Sequence, residues 1–132
     1  MNCVVCGEPI DKHEACPKTD SCVKEGVMKW TYEYDMHDGG CWKDKDGNLK
    51  SDYVFVFFEP SISITDAWEV WQSFVPKPGR DDSICSKRTE RFVEAIMDIH
   101  DADQNDSYCD VFNLLMAIRP ISICHAALRA AS

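Results

Sequence analysis

VMKWTYEY, residues 27–34, is the stretch that decides the fold. Met28, Trp30, Tyr32 and Tyr34 alternate with Lys29, Thr31 and Glu33. A period of two, filled with aromatic and β-branched residues, marks a strand that buries one face. Downstream, His37 to Gly40 and Asp44 to Asn48 carry turn chemistry, and Asp46-Gly47 suits a hairpin. Cys41-Trp42 between them reads as a short strand edge. YVFVFF, residues 53–58, is nearly all apolar and is expected to be a central strand covered on both faces.

The period then becomes helical. Asp66 with Glu69 resembles a capping box, and Ala67, Trp68, Trp71, Phe74 and Val75 fall on one face. Pro76 and Pro78-Gly79 end that helix, and residues 80–86 read as a polar loop. Phe92, Val93, Ile96 and Ile99 stripe the next helix, which starts near Ser86. Residues 101–106 form an acidic break, and Val111, Phe112, Leu114, Leu115 and Ile118 a short buried element. Pro120 suits a first helical turn, with Ile123, Cys124, Ala127 and Leu128 as the inner face. Strands first and helices after predict an α+β fold. It has an N-terminal zinc-binding segment and an antiparallel two- to three-stranded sheet packed against three or four C-terminal helices. The expected division is a metal-binding head over residues 1–25 and an α+β domain over 26–132.

Upstream of the first strand, MNCVVCGEPIDKHEACPKTDSC holds four of the 8 cysteines and one of the 4 histidines. The chain has 132 residues, 45% of them hydrophobic, with 4 Trp, 4 Tyr and 6 Phe, which is enough for a core and argues against disorder. No run approaches the eighteen or so apolar residues of a membrane span, and the start lacks a basic and apolar leader pattern. A cytosolic location is expected. There, clustered thiols read as metal ligands rather than disulfides. Cys3-Val4-Val5-Cys6-Gly7 is a C-x-x-C-G knuckle, in which one tight turn aims two sulfurs at one ion and Gly7 relieves the turn. Cys16 and Cys22 are expected to complete a closed Cys3, Cys6, Cys16, Cys22 site for a structural Zn²⁺, with Pro17 stiffening the loop between them. His13 opens two further sets, one with Cys3, Cys6 and Cys16 and one that pairs His13 with Cys22. The segment has so few apolar residues that metal binding is expected to supply its folding free energy.

Other chemistry is hard to find. There is no phosphate-binding G-x-x-x-x-G-K-[ST] loop, no G-x-S-x-G elbow and no H-E-x-x-H helix. Asp44, Asp46 and Asn48 start like a calcium loop, but Leu49 stands where Gly is needed and Phe55 where a bidentate Glu is needed. Cys124 and His125 are neighbours about 100° apart on a helix, so Cys124 reads as core. Glu90, Glu94, Asp98 and Asp101 recur at helical spacing as a solvated acidic face, which can also dock a basic partner. Trp42, beside the Gly39-Gly40 turn, is expected to be the exposed aromatic and an interface anchor. The net charge of −9 argues against a general nucleic-acid binder and for partners with basic surfaces.

Two stretches carry a resemblance. Ile64-Thr-Asp-Ala-Trp-Glu-Val70 is similar to the T-D-x-x-x-A-W-E-V signature of small bacteriophage and prophage proteins with an α-β-α sandwich domain, with the spacer after Asp66 shortened. Pro120-Ile-Ser-Ile-Cys-His-Ala-Ala-Leu-Arg-Ala130 resembles their last helix, P-x-x-I-C-x-A-A-L-x-A, and Lys87 to Phe92 is similar to a segment of longer members. The resemblance spans about residues 53–131 and implies a phage or prophage origin, life in a bacterial cytoplasm and no assigned activity. It points to a non-enzymatic accessory protein that binds a host protein, such as an inhibitor of a host defence complex. Two other expectations stand beside it. One is a zinc-containing nucleic-acid-binding regulator, for which Lys12, His13, Lys18 and Lys24 tint the head basic. The other is an enzyme that gathers His37, His100 or His125 with a cysteine or carboxylate.

Overall fold

The computed structural model describes residues 1–35, 39–52, 56–75, 87–100 and 115–131. The chain opens with the cysteine knuckle, a single 3-10 turn at Ile10–Lys12 and helix α1, Pro17–Gly26. The stretch between Cys16 and Cys22 was expected to be a loop, and the helix corrects this. Cys16 sits extended at the N-cap, and Pro17 occupies the first helical position, where its absent N–H is not needed. Asp20 in the first turn and Lys24 in the last suit the helix dipole. The helical period was hidden because three of the buried positions, Thr19, Asp20 and Lys24, are polar.

After α1, the amides of Val27 and Met28 both donate to the Val23 carbonyl, and Lys29 turns the chain at φ 60°. These residues end the helix, so the first strand begins at Thr31 rather than Val27. Strands β1 (Thr31–Asp35), β2 (Gly39–Lys43) and β3 (Leu49–Asp52) form an antiparallel sheet in that order. Tyr32 pairs with Trp42, and Trp42 pairs with Ser51 on its other side. The turn between β2 and β3 is held by Asp44, whose Oδ1 accepts from the amides of Asp46 and Asn48, both at 2.9 Å. Gly47 there takes φ 83°, the left-handed region that glycine enters without strain. This is a solvated turn, as expected, with its would-be calcium ligand turned onto its own backbone.

Two strand expectations need correction. Tyr32 and Tyr34 are exposed, Tyr34 at 70%, so this face of β1 is not the buried one that the alternation predicted. Of the expected central strand at 53–58, residues 53–55 lie outside the described residues, and 56–58 are not strand. Val56 and Phe57 face solvent, and Phe58 turns inward to meet Trp30 edge-on at 4.7 Å.

Helices α2 (Ile64–Gln72), α3 (Lys87–Ile99) and α4 (Pro120–Ala131) complete the fold. Helix α2 starts three residues before the expected cap: Ser63 is the N-cap, and its Oγ accepts from the Asp66 amide at 3.3 Å. The Asp66 carboxylate instead accepts from the Glu59 amide at 2.8 Å. Ala67, Val70 and Phe74 are its buried face, while Trp68 is 37% exposed beside Trp71, itself half-buried against Phe92. In α3 the buried positions are Phe92, Ala95 and Ile96. Helix α4 lies at the centre and touches α1, α2 and α3. Its inner face, Ile123, Cys124, Ala127 and Leu128, is fully buried as the stripe predicted. Burying each such large apolar side chain favours folding by about 1.5–3 kcal/mol. One hydrophobic cluster runs from Cys3, Ile10 and Val23 through Trp30 and Val70 to Leu128. No helix among the described residues is long and apolar enough to cross a membrane.

Candidate metal centre

The knuckle is built by backbone bonds. The Gly7 amide donates to the Cys3 carbonyl at 2.9 Å, and the Cys3 amide donates to the Glu8 carbonyl at 2.8 Å. Gly7 adopts φ 78°, which lets the chain reverse behind Cys6. The 3-10 turn then presents His13, and the second turn of α1 presents Cys22. Val5 packs so closely on Gly26 that a Cβ there would stand 2.9 Å from it, which seats the knuckle on the end of α1.

The result is a cluster of Cys3, Cys6, His13 and Cys22 whose ligand atoms all lie within 4.8 Å of one another. Cys3, His13 and Cys22 are buried and Cys6 is half-buried. His13 Nε2 is 3.3 Å from the Cys6 sulfur. Its Nδ1 lies 3.2 Å from the Pro9 carbonyl, an acceptor, so the proton sits on Nδ1 and the Nε2 lone pair is left for a metal. His125 of α4 supports the same residue from behind, donating from Nε2 to the His13 carbonyl at 2.7 Å.

The thiols are electrostatically unequal. The Glu8 backbone N–H, with help from Cys3, Cys22 and His13, holds the Cys6 thiol below its ordinary value. Burial, followed by the neighbouring Cys3 and Cys6, pushes Cys22 far up. Three thiols packed around one imidazole cannot all ionise without a cation among them, and a divalent ion reverses that penalty. Cys3, Cys6, Cys16, Cys22, Cys41 and Cys124 are all free thiols. A soft donor set of three sulfurs and one imidazole nitrogen could hold a metal ion.

Of the predicted ligands, the structure brings Cys3, Cys6 and Cys22 together with His13, the pairing of His13 with Cys22 that the spacing left open. Cys16 stands apart. Its sulfur is 3.6 Å from the Thr19 hydroxyl, and the Thr19 backbone and hydroxyl lower its pKa. It became the N-cap of α1, a role the sequence disguised because cysteine is not a usual cap. His125 gave no signal, being 112 residues from its partner.

Trp42, expected to be an exposed anchor, is 6% exposed and wedged between Tyr32 and Lys24. Glu90, Glu94 and Asp98 are exposed on α3, and Asp98 binds Arg129 at 2.8 Å. Asp101, His37, Cys85 and Cys109 lie outside the described residues. Of the lysines expected to make the head basic, Lys18 pairs with Glu8 at 2.8 Å and Lys24 is buried. Comparison of the chain with protein-family models, with curated proteins and with solved structures finds no match.

Proposed function

We propose that Cys3, Cys6, His13 and Cys22 hold one structural Zn²⁺, and that the protein acts by binding another protein rather than by catalysis. The observation that carries this reading is the four-donor cluster itself, with every ligand atom within 4.8 Å of the others. Four protein ligands close a tetrahedral site and leave no position for water or substrate. Zinc supplies charge neutralisation for crowded thiolates and a cross-link between knuckle, 3-10 turn and α1.

The partner reading rests on charge. The chain carries −9, and Glu90, Glu94 and Asp98 are exposed on α3. A host protein with a basic surface, such as a component of a bacterial defence complex, is the partner this charge and the phage-like segments favour.

Protein purified without chelators should contain one zinc per chain by mass spectrometry. Cys22→Ser and His13→Ala should lose it, and Cys16→Ser should keep it. Metal-free protein, or a dependence on Cys16, overturns the ligand set. For the partner, affinity capture from a bacterial lysate should return a protein whose complex weakens with added salt and in a Glu90→Gln, Glu94→Gln, Asp98→Gln variant. A complex indifferent to both overturns the electrostatic reading.

A further inference from the structure

Helix α1 also lines a cavity. Asp20 and Lys24 of α1 and Trp42 of β2 line a space of about 130 Å³, together with Asp52, Phe57, Phe58 and Glu59 among others. Phe57 is 58% exposed and Glu59 is also exposed, so this side forms the mouth, while Asp20 and Trp42 are buried.

One buried donor here has no acceptor among the described residues, and a cation stands beside it. The Trp42 indole N–H is buried and finds no acceptor among the described residues. Folded proteins leave few such groups orphaned, and each calls for an explanation. Lys24 is 8% exposed, and its ammonium stands 5.6 Å from the Trp42 ring centroid. Among the described residues no carboxylate oxygen forms an ion pair with it within 4.0 Å. The same cavity is lined by the carboxylates of Asp20, Asp52 and Glu59, which are acceptors only, and Asp20 Oδ1 already accepts from the Ser61 amide at 2.8 Å.

The charges restrict the occupant. An anion meets the carboxylates of Asp20, Asp52 and Glu59, and a cation meets Lys24. Burial raises the Asp20 pKa and lowers that of Lys24, so the surroundings disfavour charge of either sign. The walls of Trp42, Phe57 and Phe58 suit a flat apolar body. A cavity of roughly 150 Å³ holds a benzene ring.

We propose that this cavity binds a small, uncharged, planar molecule with a carboxamide edge. Its carbonyl accepts from the Trp42 indole N–H and the Lys24 ammonium, and its amide N–H donates to the carboxylate side. The proposal does not depend on the identity of the metal or of a protein partner.

Benzamide is the probe. In a titration of ¹⁵N-labelled, metal-replete protein followed by NMR, the Trp42 indole resonance, identified by its loss in Trp42→Phe, should move downfield along a saturating curve with a Kd of about 10 mM or tighter, which corresponds to about 0.3 kcal/mol per non-hydrogen atom. Ligand-detected NMR should show binding weakened about tenfold in Trp42→Phe and in Lys24→Met, the equivalent of one lost hydrogen bond. The three remaining indole resonances report whether each variant is folded, and Lys24→Met serves if Trp42→Phe is not. Benzoate and benzamidine, of the same shape but charged, should bind more weakly than benzamide. A Trp42 resonance that does not move means the cavity holds water alone. That result, undiminished binding in the folded variants, or preference for either charged analogue overturns the proposal.

Discussion

The first 26 residues and helix α4 both bury side chains in the same core, and those side chains differ in kind. Helix α4 packs Ile123, Cys124, Ala126, Ala127 and Leu128 completely away from water, so hydrophobic burial alone accounts for its place. The N-terminal segment has Ile10 and Val23 as its fully buried apolar anchors. Its other buried groups include Cys3, His13, Thr19, Asp20, Cys22 and Lys24, most of which must be compensated before their burial helps the fold. The two regions meet where His125 donates to the His13 carbonyl and where Arg129 bridges Asp11 and Asp98. One lesson is that burial in one core does not imply one cause: with the proposed zinc removed, only the N-terminal region should fail.

The largest effect should come from that removal. Structural zinc contributes about 10–16 kcal/mol of apparent binding free energy in small zinc-dependent folds at neutral pH. Stripping the metal, or Cys22→Ser, should abolish amide-exchange protection in α1 and the knuckle while α4 amides keep most of theirs. Equal loss in both would show that the regions fold as one unit. Acid should mimic the chelator. Because the Glu8 backbone N–H lowers the Cys6 pKa, the stability this thiolate contributes is present above the ordinary thiol value and is lost as pH falls through the lowered one. Zinc release monitored by a colorimetric chelator should therefore rise on acidification and not on alkalinisation.

The converse test is Leu128→Ala. Leu128 has no exposed surface, and truncating such a residue costs about 2–5 kcal/mol. The urea midpoint should fall accordingly, while zinc per folded chain stays at one. Loss of zinc at folded concentrations would mean that the ion depends on the apolar core as much as on its ligands.

What the sequence made legible divides along the same line. The inner face of α4 was plain because apolar side chains at helical spacing are both the signal and the cause. The knuckle was plain because Cys3-x-x-Cys6-Gly7 is a local geometry written in adjacent residues. Helix α1 was not, since its inward face mixes Thr19 and Asp20 with Cys22 and Val23, and periodicity measures apolarity rather than burial. The choice of His13 over Cys16 needed the knowledge that α1 begins at Pro17, which turns Cys16 into a cap and leaves Cys22 pointing at the knuckle. Trp42 misled because a Gly-Gly turn suggested exposure, whereas the sheet register places it between Tyr32 and Ser51, with Lys24 of α1 over its ring.

His125→Phe probes the joint between the two regions. It keeps an aromatic ring of similar size and deletes the donor to the His13 carbonyl. A buried carbonyl left without its partner costs about 1–3 kcal/mol, and here the cost falls on the residue that presents a ligand. Zinc affinity in a chelator competition should drop roughly tenfold, the equivalent of about 1.4 kcal/mol. An unchanged affinity would mean that the Pro9 carbonyl orients the His13 ring unaided.

The smallest effect should come from Ser63→Ala, and it tests whether the two regions are separable. Ser63 caps α2 with its hydroxyl on the Asp66 amide, far along the chain from any metal ligand. Losing such a cap costs about 1 kcal/mol. Helix α2 packs on α4, so global stability should fall by that amount. Zinc affinity should not move, because none of Cys3, Cys6, His13 and Cys22 lies on α2. Ser63→Asp, which restores a capping acceptor, should recover the loss. With His125→Phe in the same chain, the two stability changes should add within about 0.5 kcal/mol, as distant and independent sites do. A larger coupling would show that strain at the cap of α2 reaches the ion through α4, and the contrast between a metal-held segment and a burial-held core would then describe one cooperative structure.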